Sequence, residues 1–233
     1  MEVPRTFTTW IGARTPWRIL NWLRQRSPST FQRLVYGTPN LNTADHWDER
    51  WNRHGTAGFR ATGEAQPLRD RAVRAVPPGS DVLDVGCGVG ETIALLRDQR
   101  RCRCSGCDIA ASAAAAVTAQ GMTGRVSVLP DIDFPDEAFD VVICTETLEH
   151  VTDAAGTVRS LRRVLRPEGL LLMSVPDGSV DEEASHVHRF TEASIRRLLS
   201  RYFSVVSIEL VELEKPSAPS FFIVARPLPA GPQ

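Results

Sequence analysis

No stretch of this chain approaches the roughly 18–20 consecutive apolar residues that a membrane-spanning helix requires, so no such helix is expected. The N-terminus lacks a basic stretch, an apolar core and a small-residue cleavage site in that order, and no secretion signal is expected either. Cysteine is scarce: the five present form an odd set without framework spacing. That excludes a disulfide scaffold and suits a reducing compartment, so a cytoplasmic location is expected. Lysine is almost absent, with Lys215 alone beside many arginines. The bias fits a GC-rich genome and carries no functional weight. Internal repeats and low-complexity tracts are also missing, apart from a Pro-rich tail over 227–233.

What remains is an ordinary globular composition at 233 residues, enough for one domain with a real core. The net charge of −1 hides an uneven spread. Residues 1–40 hold six arginines against Glu2, so the body is acidic and offers no general footprint for nucleic acid. Thr15-Pro16 reads as a helix start, with Trp17, Leu20 and Leu23 on one side before Ser27-Pro28 ends it. Such a basic aromatic helix either packs on the domain, covers a substrate or rests on a membrane surface, so residues 1–36 are a candidate for peripheral membrane contact. After a loop over 37–42, Thr43 stands as the cap of a helix carrying Trp47 and Trp51 one turn apart.

From Asp81 the pattern becomes short apolar strands alternating with helices. Strands are expected at 81–86, 104–108, 125–129, 139–145, 169–175, 203–211 and 219–226. Helices are expected near 90–100, 110–119, 154–166 and 191–201. Alternation of this kind predicts an α/β fold, a mostly parallel seven-stranded sheet with helices on both faces. The last two strands have no helix between them and should form an antiparallel edge. The expected organisation is a helical extension and substrate cover over 1–60, the sheet domain over 61–227, and a loose tail at 228–233.

The strongest chemical signal is the run Asp81-Val-Leu-Asp84-Val-Gly86-Cys-Gly88-Val-Gly90, a buried strand entering a glycine turn and then a helix. Glycine lets the backbone approach a ligand with no Cβ in the way, and ligands of open α/β sheets bind at the carboxyl ends of strands. A dinucleotide fingerprint would place a small residue at 91. Glu91 stands there, its carboxylate at the helix N-terminus that a pyrophosphate would need. Asp84 instead offers negative charge to a cationic ligand. By contrast, Cys102-x-Cys104-x-x-Cys107 runs along a strand with no fourth ligand nearby, and is read as small buried residues rather than a zinc site.

The segment resembles the first motif of class I S-adenosylmethionine-dependent methyltransferases, whose Rossmann-like fold matches the expected sheet, and the resemblance continues to the end of the chain. It implies S-adenosylmethionine as cofactor, held at Asp84, Gly86, Gly88 and Gly90. Asp108, about twenty residues on, would hold the ribose hydroxyls, with Ile109 beside it. In Pro130-Asp131-Ile132-Asp133-Phe134-Pro135, an adenine loop by resemblance, Asp131 and Asp133 compete to receive the adenine amino group; Asp131 is preferred, with Ile132 next to it. Thr145 closes the fourth strand at the same site. Next in sequence is Glu146-Thr147-Leu148-Glu149-His150.

Three readings of that segment stay open. Glu149 and His150 can be supporting or helix-capping groups. His150, with Glu149, can serve catalysis as a general base, since imidazole accepts a proton near neutrality. Alternatively, Glu146, Glu149 and His150 resemble the E-x-x-E-H ligand set of metal-dependent methyltransferases, including the O-methyltransferases of ubiquinone biosynthesis and small-RNA 2′-O-methyltransferases. The fourth ligand would then come from His186 or His188 in the loop after the fifth strand, His186 being preferred, and the ion would be magnesium, manganese or zinc. The resemblance therefore implies transfer of a methyl group, most readily to a hydroxyl of a small molecule or glycan. RNA 2′-O-methylation, or N- or C-methylation of a small molecule, is the alternative. Nucleic acid as a partner is disfavoured by the acidic body.

Overall fold

The structure is a computed structural model that describes residues 42–62, 65–183, 185–214 and 217–229, with only the main chain of 54–62 considered. The expected N-terminal helix, its membrane-facing role and the end of the tail lie outside the described residues. Chain order is α1 (Ala44–Thr62), α2 (Gln66–Ala75), β1 (Asp81–Val85), α3 (Glu91–Arg100), β2 (Arg103–Asp108), α4 (Ala111–Ala119), β3 (Thr123–Val126) and β4 (Phe139–Thr145). A 3-10 turn (Leu148–His150), α5 (Ala154–Val164), β5 (Leu165–Pro176), α6 (Glu192–Leu199), β6 (Phe203–Val211) and β7 (Ser220–Pro227) follow. No described helix is long and apolar enough to cross a membrane.

Seven strands form one sheet in the order β3-β2-β1-β4-β5-β7-β6. β1 to β5 pair in parallel, while β7 inserts between β5 and β6, antiparallel to both. Alternating side chains in the central strands sort the core into two layers. Leu83, Val85, Val142 and Cys144 face α5 and α6, whereas Val82, Val141 and Ile143 face α2, α3 and α4. The order reverses between β1 and β4, and there a cleft opens at the carboxyl ends of the strands.

Two boundaries differ from the sequence expectation in ways that matter for the site. β3 ends at Val126, paired with Asp108 at the end of β2, and does not run on to 129. Its pairing partner has ended there, so Ser127 N donates to the Asp108 carbonyl (2.9 Å) and the chain turns across the cleft. The apolar Val126-Ser-Val-Leu129 pattern reads as strand but is a rim. α5 stops at Val164 rather than 166, because Leu165 already pairs with Phe139.

α1 lies across the same end of the sheet. Thr43 Oγ1 accepts from His46 N (3.3 Å) at its start. Asp48 Oδ1 accepts from both the backbone N (2.7 Å) and hydroxyl (2.6 Å) of Ser112, so one helix caps the first turn of another. Asn42 Nδ2 donates to the Ser185 carbonyl (2.9 Å), tying the other flank to the loop after β5. The helix runs to Thr62, through residue 60 where the cover was expected to end.

Candidate active site

The glycine turn needs its glycines. Gly86 (φ +75°) and Gly88 (φ +50°) occupy left-handed backbone. A Cβ on Gly86 would run into the Thr147 side chain, and one on Gly88 would come 2.8 Å from the Trp51 ring. Gly86 N and Cys87 N both donate to the Cys107 carbonyl (2.8 and 3.1 Å), which locks the turn to β2. Asp84, buried behind the turn, is pushed up to about 7 by burial and then by the charge of Asp108. The Asp108 carboxylate accepts from Gly88 N (2.9 Å, Oδ2) and Ala110 N (3.0 Å, Oδ1); burial raises its pKa against those amides. Two carboxylates thus converge at a place with few cations, an arrangement that favours a positively charged ligand.

Two cavities meet here. One of about 190 Å³ is lined by Asp108, Ile109, Ser127, Val128, Leu129 and Val151 among others. The second, about 1010 Å³, reaches from Asp84, Gly88 and Thr145 to Glu149, Asp181 and His186. Trp47, Trp51, Gly86, Glu146 and His150 line both, so the paired indoles (ring centroids 6.1 Å apart) stand at the junction.

Of the residues expected from sequence to form the cofactor set, Asp84, Gly86, Gly88, Asp108, Ile109 and Thr145 line these cavities. Gly90 does not line them; it starts α3 in the left-handed region (φ +82°). Asp131 is exposed and Ile132 is buried in the core layer under α5, so neither reaches the cavity wall. Ser127, Val128 and Leu129 stand where those two were expected, because β3 stops early and the chain crosses the cleft sooner.

The acidic segment after β4 is built by three strands. Glu146 takes positive φ (+49°), its N donating to the Ser174 carbonyl on β5 (3.1 Å). Its carboxylate accepts from the hydroxyls of Ser174 (2.7 Å) and Ser220 (3.2 Å), on β5 and β7. Burial raises the Glu146 carboxyl against these two hydroxyls. Glu149 is 1% exposed, and neither carboxylate oxygen has a hydrogen-bond partner. Burial, reinforced by Glu146, pushes it well above the usual carboxylate range. His150 Nε2 lies 3.9 Å from Glu149 Oε1, and burial, then His186, pushes that imidazole down to about 3.

The loop after β5 hangs on this turn: the Glu149 carbonyl accepts from Val187 N (2.9 Å) and His188 N (3.1 Å). Alternation then separates the two loop histidines. His186 faces inward, its ring 4.7 Å from that of His150, and His188 lies against Phe190 at 5.5 Å. One ligand atom each from Glu149, His150 and His186 lie within 4.8 Å of one another. Glu146 stays outside that triplet, its carboxylate held by the serines, and so does His188. Sequence reading missed Asp181, whose Oδ2 is 2.8 Å from His186 Nδ1, and the serine pair on Glu146. No spacing announces either, since β7 brings Ser220 in from 74 residues away. It also missed Arg69, which pairs with Glu91 (2.8 Å) at the edge of the larger cavity.

Among relatives, the chain is 30% identical over 142 residues to the 2-methyl-6-phytyl-1,4-hydroquinone methyltransferase of Synechocystis sp., an alignment covering 59% of this chain and 44% of that protein. It is 34% identical over 125 residues to the ubiquinone biosynthesis O-methyltransferase of Hahella chejuensis, covering 50% and 52%. The chain thus spans about half the length of these curated relatives. The 1,6-didemethyltoxoflavin-N1-methyltransferase of Burkholderia thailandensis, solved with its substrate and S-adenosylhomocysteine, superposes with a TM-score of 0.62 at 20% identity, over 77% of this chain and 84% of that one, which shows a shared fold. Residues 58–209, from the end of α1 into β6, match the methyltransferase domain family, and this chain belongs to it.

Proposed function

We propose that this protein transfers the methyl group of S-adenosylmethionine to a hydroxyl oxygen of a small, uncharged acceptor. One observation carries the reading: the cavity that begins at Asp84 and the glycine turn ends at the triplet of Glu149, His150 and His186. S-adenosylmethionine supplies a methyl group already activated on a sulfonium. In this reading Asp108 takes the ribose hydroxyls and Ser127–Leu129 flank the adenine in the smaller cavity. Asp84 faces the cationic methionyl end. The protein contributes in-line proximity and removal of the acceptor proton.

His150 alone is a poor proton acceptor with its imidazole held at about 3. The triplet fits a divalent cation better: a buried carboxylate without hydrogen-bond partners, an unprotonated imidazole and a second imidazole whose Nδ1 is already engaged. Glu149, His150 and His186 would hold the ion, with Glu146 adjoining, and the ion would supply a lowered pKa at an acceptor hydroxyl. Leu68, Pro176, Val180, Leu213 and Pro219 give part of this cavity an apolar wall that suits a hydrophobic acceptor. A relative named as a ubiquinone biosynthesis O-methyltransferase supports oxygen as the acceptor atom, and one named for methylation of a hydroquinone supports an aromatic acceptor. Asp181, Glu182 and Glu183 at the same cavity disfavour phosphate-bearing acceptors such as RNA. The five free cysteines accord with a cytoplasmic setting.

The test is calorimetry with S-adenosylmethionine and NAD, then methyl-transfer assays on phenols, sugars and RNA, with elemental analysis and chelator kinetics. Binding of NAD in place of S-adenosylmethionine overturns the cofactor reading. Full activity in metal-free protein removes the ion and leaves the cofactor reading intact.

A further inference from the structure

The loop between β5 and α6 is a built lobe. Asp177 and Phe190 bridge its ends, and Val187 N and His188 N hang its inner face on the Glu149 carbonyl. Inside it Asp181 is 4% exposed and divides its carboxylate between two tasks. Oδ1 accepts from Glu183 N (3.0 Å) and shapes the turn. Oδ2 meets His186 Nδ1 at 2.8 Å, with Arg189 Nη1 more distant at 3.9 Å. The main-chain N–H on Oδ1 and the guanidinium near Oδ2 both suit the ionised form of Asp181.

We propose that Asp181 is a positioning residue: it holds the proton of His186 on Nδ1 and turns the bare Nε2 towards Glu149 and His150. An ionised carboxylate can only accept, so the ring nitrogen facing it must donate. A neutral imidazole has one N–H, and fixing it on Nδ1 leaves the Nε2 lone pair to the cleft. A carboxylate behind an imidazole in this way also fixes ring orientation and raises ligand basicity. That Nε2 serves methyl transfer rests on the function proposed above; the tautomer does not. A merely structural Asp181 would anchor the loop with His186 in either tautomer.

The experiment is long-range proton–nitrogen NMR on full-length protein labelled at histidine, at about pH 8. His186 is assigned by loss of its signal in His186→Gln. The expected native pattern is a protonated Nδ1 and a bare Nε2, and a protonated Nε2 overturns the proposal without any variant. Asp181→Ala should release His186 into the other tautomer or a mixture, and Asp181→Glu should restore the native pattern. Retention of the native pattern in Asp181→Ala overturns the proposal. Parallel calorimetry separates the two ideas. Cofactor binding with Nε2 protonated refutes the Asp181 role alone, and the expected tautomer without cofactor binding refutes the function alone. In an active preparation, Asp181→Ala should lower kcat roughly 10–100-fold with KM little changed, in line with the loss of a ligand's supporting carboxylate.

Discussion

Asp84 gives the most demanding prediction, because its environment sets both stability and cofactor affinity. Burial and then Asp108 raise it to about 7, against about 3.9 in an unfolded chain. The folded protein therefore binds one more proton than the unfolded chain between those values, and stability falls as pH rises across that window. At one pKa unit per 1.36 kcal/mol, the cost above neutrality reaches at most about 4 kcal/mol. Asp84→Asn should raise the Tm of cofactor-free protein at about pH 8 and leave it nearly unchanged at about pH 4. Binding runs the other way. A cationic cofactor favours the carboxylate, so binding must expel the Asp84 proton below neutrality. With a free-state pKa near 7, apparent affinity should weaken on the order of tenfold from about pH 7 to about pH 5.5, or roughly 1–2 kcal/mol. Calorimetry in buffers of different ionisation enthalpy should register the released proton. Asp84→Asn, which retains the cofactor's own titration, should bind weakly and without this extra slope. A native affinity that runs parallel to that of the variant across this range would refute the assignment.

Glu149 obeys the same sign rule. Its raised pKa makes the cofactor-free protein lose stability as pH climbs above the ordinary carboxylate range, so Glu149→Gln should flatten the Tm–pH curve there. The same variant should lose divalent-ion binding in elemental analysis. Gly88→Ala meets both positive φ and the Trp51 ring, so cofactor affinity should drop at least about tenfold by calorimetry, with about 1 kcal/mol or more of stability lost in denaturant. Arg69→Met removes the buried ion-pair partner of Glu91 and should cost about 2–3 kcal/mol in urea unfolding, less than a fully buried pair because Glu91 sits on the α3 N-terminus. Because Trp51 touches the glycine turn and stacks on Trp47, Trp51→Ala should abolish most of the tryptophan fluorescence change on cofactor binding.

Sequence alone determined the alternation of strands and helices, the antiparallel edge, the glycine turn and the two acids that frame it. Those features are written locally, in period-two apolar runs and in glycines where the backbone takes positive φ. Even the sorting of His186 from His188 follows from alternate residues facing opposite ways in extended chain. Tertiary structure decided everything that depends on where a neighbour ends. β3 stops with β2, so Ser127–Leu129 replace Asp131 and Ile132 at the cleft. β7 inserts beside β5, so Ser220 arrives to hold Glu146, while Glu149 stays a buried carboxylate without hydrogen-bond partners. The lobe folds back on the Glu149 carbonyl, which puts Asp181 behind His186. Backbone preference reaches only a few residues along the chain. Desolvation and hydrogen-bond partners, which set what these acids and imidazoles can do, come from residues tens of positions away.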